Sequence, residues 1–202
     1  MIIFSLLFFA VIDFSNKLKI LIVLGFISII LSIVSLNESI KKRIYHQLIS
    51  NSGSGKYIYT KVHDSHFRTA YKMFKDQPIF GHGPKMFRVI CKDKKYATGK
   101  TPCNTHPHNF YIQLLAETGI VGFSFLFSAF IYVVYLAIRQ FKSIISGHKR
   151  PLSDYQVCLL AGILITVWPF SPNGNFFHNW LMIVYSLPVG FYLQSIYSGK
   201  KD

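Results

Sequence analysis

Ile120 to Ile138 runs for 19 residues without a charged side chain, and Ile20 to Leu36 does so for 17. Runs of this length constrain the chain more than any other feature, because a helix of about 20 apolar residues crosses a bilayer core about 30 Å thick. Inside lipid every backbone N–H and C=O must be bonded within the protein, so only helices and closed barrels can span. No strand-like alternation persists in any segment, and the fold class expected is therefore all-α, a polytopic integral membrane protein. Two further apolar runs, 155–170 and 176–197, bring the expected transmembrane helices to about four. Residues 2–12 are apolar but too few to span, and read as the stump of a helix.

Of the 202 residues 51% are hydrophobic, more than an ordinary soluble domain of this length carries. A formal charge of +14 raises the question of nucleic acid, but the basic residues lie outside the apolar runs and no RNA-binding signature or Cys/His finger is present. Basic residues beside apolar spans instead contact lipid phosphates or set topology. The chain opens without a basic segment or a small-residue cleavage site, which argues against a signal peptide.

Three parts follow: a truncated N-terminal membrane part (1–36, span 20–36), a polar loop (37–117), and C-terminal membrane helices (118–202, spans 120–138, 155–170 and 176–197). The loop carries 14 Lys or Arg against five Asp or Glu, a net of +9. Long loops cross membranes largely regardless of charge, so the short ones decide orientation. Arg139, Lys142, Lys149 and Arg150 against Asp154, with Lys200 and Lys201 in the tail, favour the cytoplasm for those segments and put the large loop in the periplasm. Ser171 to Gly174 forms a turn between the last two spans, flanked by the interfacial aromatics Trp168, Phe176, Phe177 and Trp180.

Chemistry is concentrated where the loop meets the second full span, in Thr105 to Gly122 (THPHNFYIQLLAETGIVG). With Thr105 as cap and Pro107 in the first turn, helical spacing sets His106, Asn109, Gln113 and Glu117 on one face, a polar stripe that partner helices must shield. Gly119 is a natural bend. Upstream, His66 to Lys75 reads as a short helix capped by Asp64 or Ser65, with Phe67, Ala70, Tyr71 and Phe74 on its apolar face and Arg68, Lys72 and Lys75 on the other. The Gly81-His82-Gly83-Pro84 turn lacks the preceding strand and following GK[ST] of a phosphate-cradling loop.

His108-Asn109, nine residues, then Gly119-Ile120-Val121-Gly122 resembles the HN-x9-GxxG pattern of the O-antigen ligase and O-antigen polymerase superfamily. Arg68 followed by Asp76-Gln77-Pro78-Ile79-Phe80-Gly81-His82-Gly83-Pro84 is similar to that family's arginine and D-x-P-hydrophobic-F-G-x-G turn. The resemblance covers roughly residues 65 to 195, so the chain looks like a C-terminal portion of a larger GT-C-like helical fold, with no cofactor. It implies an inverting, metal-independent glycosyltransferase of the bacterial inner membrane. The implied donor is an undecaprenyl-pyrophosphate-linked glycan, and the acceptor a glycan or lipid A core hydroxyl.

On this resemblance His108 activates or positions the acceptor hydroxyl, which a neutral imidazole can do, and Asn109 orients it or caps the helix. Arg68 holds the pyrophosphate, a task suited to a planar guanidinium. Lys72, Lys85 and Arg88 are weaker candidates for the same task, and Gly81, Gly83, Pro84, Gly119 and Gly122 are structural. Cys91 and Cys103 share one polar segment in the compartment where disulfides persist, and are expected to pair. Cys158 lies in an apolar run.

Alternatives stay open at this point. Arg68, Lys72 and Lys75 suit an ordinary solvated helix face, and Cys91, Cys103, His106 and His108 are residue types that suit zinc. The chain could also be a non-catalytic scaffold or truncated product that transfers nothing alone, or a protein-directed O-oligosaccharyltransferase.

Overall fold

The computed structural model describes residues 16–45 and 60–198, in which seven helices and no strand are found. The short apolar run at 2–12 lies outside the described residues. The chain divides into two compact units, one of residues 13–64 and one that includes residues 65–198.

In the smaller unit, α1 (Asn16–Leu36, 21 residues) covers the run expected to span at 20–36. Leu21, Leu24, Ile27, Ile29 and Leu31 all stand exposed. Asn37 ends it and begins α2 (Glu38–Tyr45), its Oδ1 accepting the Ser39 N–H at 3.1 Å.

The larger unit begins within α3 (Lys61–Asp76). This helix starts earlier than Asp64 or Ser65 would set it, because Thr60 is its cap: the Thr60 hydroxyl accepts the His63 N–H at 3.4 Å. Its buried face is also rotated from the expected one, and comprises Ser65, His66, Thr69, Ala70 and Met73, with Tyr71 exposed. Ser65 and Thr69 can be buried there because they are paired. Ser65 donates to the Thr98 carbonyl, and the Thr98 N–H donates to Thr69 at 3.1 Å.

Ala70 and Met73 form a small core with Phe87, Cys91, Tyr96 and Ala116. Phe87 opens the short α4 (Phe87–Ile90), and a disulfide joins Cys91 to Cys103 across a Cα–Cα distance of 5.2 Å. Closing a loop of that length stabilises by about 3 kcal/mol in the chain-entropy account. Asp76 fastens the loop from the other side, accepting from Lys95 Nζ at 2.5 Å and Tyr96 OH at 2.6 Å.

α5 (Phe110–Ile145, 36 residues) is two helices joined at Gly119, whose φ of 64° and ψ of −161° are non-helical. Such a break frees carbonyls before it and N–H groups after it. The D-x-P turn supplies the partners. His82 N–H donates to Ala116 O (3.1 Å) and Gly83 N–H to Glu117 O (2.8 Å), while Ile120 N–H donates to Pro78 O (2.8 Å) and Val121 N–H to Ile79 O (3.3 Å). The two backbones touch. A Cβ on Gly119 would collide with the Ile79 carbonyl, and one on Gly81 with the Glu117–Thr118 peptide. The glycines of the two motifs are therefore two sides of one contact.

α6 (Asp154–Thr166) opens with a capping box between Ser153 and Gln156, and α7 (Asn179–Ser198) follows a long loop. Val133, Leu136, Val157, Leu160, Ile163, Leu164 and Tyr192 form the apolar core that joins α5, α6 and α7. Two of the described helices, 110–145 and 179–197, are long and apolar enough to cross a membrane, and most of their side chains are not buried within the protein. α6 has 13 residues and is shorter than the span expected at 155–170. It stops ahead of Pro169, which has no N–H to continue the helix, and the freed carbonyls find outside donors: Thr166 O accepts from Asn173 Nδ2 at 3.2 Å, and Val167 O accepts from Tyr111 OH at 2.5 Å.

Candidate functional site

The histidine motif lies outside the helix. Asn109, not Thr105, is the N-cap of α5, its Oδ1 accepting the Ile112 N–H at 3.1 Å, so Pro107 and His108 precede the first turn. The other end of the Asn109 amide donates to Pro169 O at 2.7 Å and to Ser171 O at 3.3 Å. One side chain thus caps α5 and anchors the loop after α6. His108 itself has φ of 62°, and Lys85, at 64°, is the other non-glycine among the described residues with positive φ. Left-handed backbone at a bulky residue costs of order 1–3 kcal/mol and persists where the surroundings over-determine it. Here the His108 carbonyl accepts the Asn173 N–H at 3.0 Å.

The His108 ring is stacked on His66 (5.6 Å between centroids, 30° between planes) and lies 4.3 Å from His106. Its Nε2 is 2.8 Å from Asn104 Nδ2. Because Asn104 Oδ1 accepts the Thr105 N–H at 2.7 Å, the amide presents its NH2 to the ring, and His108 Nε2 carries the lone pair. His106 has the opposite arrangement: its Nε2 faces the Asn173 carbonyl at 3.2 Å and must be the protonated nitrogen. Burial holds the His106 imidazole below the usual histidine range, with His66 adding to the effect and the Asn173 carbonyl opposing it. His66 also meets Phe87 edge-on at 6.4 Å, which brings α4 beside the cluster.

A cleft of about 250 Å³ adjoins α4, lined by Lys85 and Arg88 on one side and by Asn175, His178, Asn179 and Trp180 on the other. Both cations were weaker candidates from sequence alone. Arg68 and Lys72 stand on the exposed face of α3 and do not line this cleft. The second wall escaped sequence reasoning, because it lies far along the chain and carries no motif; the turn signal at Ser171–Gly174 is the only local hint of it. His82, in the Gly-rich turn, is half-buried and donates to Met73 O at 3.0 Å, a structural role.

The expected polar stripe is buried by the chain itself rather than left for partner helices. Gln113 and Glu117 are 0% exposed, and His106 lies before the helix. Gln113 Nε2 donates to Glu117 Oε2 (2.9 Å) and Asn175 Oδ1 (2.8 Å), Gln113 Oε1 accepts the Phe176 N–H (2.9 Å), and Glu117 Oε1 accepts the Phe87 N–H (2.8 Å). The zinc alternative loses its thiolates, since Cys91 and Cys103 are joined. Among the described residues no three His, Cys, Asp or Glu side chains are grouped to hold a metal ion.

A family model described as O-antigen ligase matches residues 1–127. No curated protein and no solved structure matches the chain.

Proposed function

The chain belongs to the O-antigen ligase family, and from that premise we propose that it transfers a glycan from undecaprenyl pyrophosphate to a sugar hydroxyl. The observation that carries this reading is a change of polarity at Asn179. This residue lines the cation-bearing cleft and also begins an open apolar groove of about 550 Å³ along α7, which continues past Met182, Ile183, Leu187 and Phe191. A ligand with an anionic head and a long hydrocarbon tail suits such a junction.

In this mechanism the acceptor O–H takes the place of the Asn104 NH2 at His108 Nε2, the nitrogen that carries the lone pair, and gives it its proton. The acceptor oxygen attacks the anomeric carbon opposite the leaving group, so configuration inverts as the bond to the pyrophosphate oxygen breaks. Arg88 and Lys85 offset the charge left on the diphosphate, work for which fixed cations suffice without a metal, while Arg68 stands outside the cleft on the exposed face of α3. The 37–117 part lies in the periplasm and the protein in the bacterial inner membrane, with α1, α6 and the two longer apolar helices as its four membrane helices.

Ligase, polymerase and protein-directed transfer differ in acceptor, which sets the test. The complete reading frame is expressed in strains lacking either an O-antigen ligase or a polymerase. Restoration of the lipopolysaccharide ladder in one strain, lost again with Arg88→Ala, is expected. An unchanged ladder in both, with the protein present in the membrane, would remove the proposal. For orientation, Cys158 is replaced and a cysteine placed at Lys72 or Lys149; an impermeant thiol reagent added to spheroplasts should label the first alone.

A further inference from the structure

We propose that Glu117 is a positioning residue for the donor, its buried carboxylate holding the two walls of the cation-lined cleft in register. The inference rests on the reading of that cleft as the site of the donor diphosphate. Toward the first wall, Glu117 Oε1 accepts the Phe87 N–H at 2.8 Å. That bond fixes the backbone between Lys85 and Arg88. Toward the second wall, Glu117 Oε2 accepts from Gln113, whose NH2 also donates to Asn175 Oδ1, and that oxygen accepts the Phe177 N–H at 2.9 Å. Asn175 lines the cleft. The relay thus runs from the backbone beneath one wall to a side chain on the surface of the other, and Arg88 lies near enough for its charge to act on Glu117.

An ordinary buried carboxylate bonded within helix packing is the plain alternative. The bonds of Glu117 instead go to the segments that form the cleft, and every link has a fixed donor sense. Phe87 donates to one oxygen of residue 117 and Gln113 to the other, so both must accept. An amide there faces a donor with its NH2 whichever way it is turned. Turning Gln113 to compensate sets the Gln113 NH2 against the Phe176 N–H. Glu117→Gln therefore breaks the register although it preserves volume. Adding Gln113→Glu restores the sense of the link between 113 and 117 and keeps the bond to Phe176, at the cost of one bond near Asn175.

The test is steady-state transfer in membranes carrying the complete reading frame, with donor and acceptor varied separately. Glu117→Gln should raise the donor KM about 10-fold or more, the scale of a lost bond to a charged group, and leave the acceptor KM within about twofold. The double variant Glu117→Gln/Gln113→Glu keeps the bonds to Phe87 and Phe176 and loses that to Asn175, so its donor KM should fall below that of the single variant yet stay about threefold or more above the parent's. An unchanged donor KM in folded Glu117→Gln, or an equal rise in both KM values that the double variant does not reverse, overturns the inference. If the single variant does not accumulate, the double variant decides: a donor KM raised about threefold or more with the acceptor KM unchanged is expected from the lost Asn175 bond, and a parental donor KM overturns the inference. Arg88→Ala and Lys85→Ala separate the two readings: if neither alters the donor KM, the cleft is not the donor site. If they raise it and Glu117→Gln does not, only the role of Glu117 fails.

Discussion

The two ends of the 65–198 unit are held together by different physics. Around the histidine motif, side chains of Gln113, Glu117, Asn109, Thr69 and His66 are buried and the motif glycines touch backbone to backbone. In the bundle of α5, α6 and α7 the buried set is Val133, Leu136, Val157, Leu160, Ile163, Leu164 and Tyr192. Apolar contacts have no sense or register beyond shape, and cores tolerate exchanges that keep volume. Hydrogen bonds with fixed donors, and contacts that admit no Cβ, tolerate almost nothing. The site end is thus the specified part of the unit and the bundle is its adaptable support.

The largest effect expected on that contrast comes from the chemistry itself. His108→Ala should lower transfer about 10²–10⁴-fold, the usual contribution of a positioned general base, with membrane insertion unchanged. A bundle truncation such as Leu160→Ala should act on thermal stability and leave the acceptor KM of the folded protein alone. Parallel rate and unfolding measurements on the two variants check this, and a His108→Ala protein that keeps its rate would erase the distinction.

Glycine exchanges sharpen it next. Gly119→Ala places a Cβ against the Ile79 carbonyl in a left-handed residue, and should destabilise by about 1–3 kcal/mol or more from overpacking alone. Gly162→Ala, in α6, meets Pro188 at an ordinary 3.9 Å and should be neutral or stabilise by up to about 1 kcal/mol through helix propensity. Limited proteolysis of the loop and thermal melts of both variants would show whether the two ends really differ in tolerance.

The smallest effect is electrostatic. Hydrogen bonds from Lys95, then Tyr96, hold the Asp76 carboxyl below its usual range. A depressed carboxyl contributes stability that is present above its unfolded value, about 4, and is lost as pH falls through the folded one. Melting of the disulfide-closed loop should therefore weaken only below about pH 4, and Asp76→Asn should flatten that dependence. A bundle reporter such as Trp168 should show no such slope.

Much of this was legible in local sequence: helices in each of the long apolar runs from Ile20 onward, the break at Gly119, the turn at Gly81. These depend on neighbours within a few residues. What sequence did not reveal depends on partners far away. The buried face of α3 is set by Thr98, about 30 positions on, which makes Ser65 and Thr69 cheap to bury. The second wall of the cleft reaches Gln113 from more than 60 residues downstream, whereas the early end of α6 had a local signal in Pro169 that the 155–170 span passed over. Helical periodicity counted back from Gln113 put His106 on the stripe, but Asn109 starts the helix, and periodicity does not extend past a cap.

The four backbone bonds between 78–83 and 116–121 have a consequence for anyone recombining this chain with a relative. Main-chain atoms make the joint, so most side chains along either strand are free to drift while the glycines stay. A crossover placed between the two segments would join strands whose curvatures never evolved together. Chimeras should inherit Pro78 to Gly122 as one cassette, with acceptor preference sought by exchanging the loops outside it.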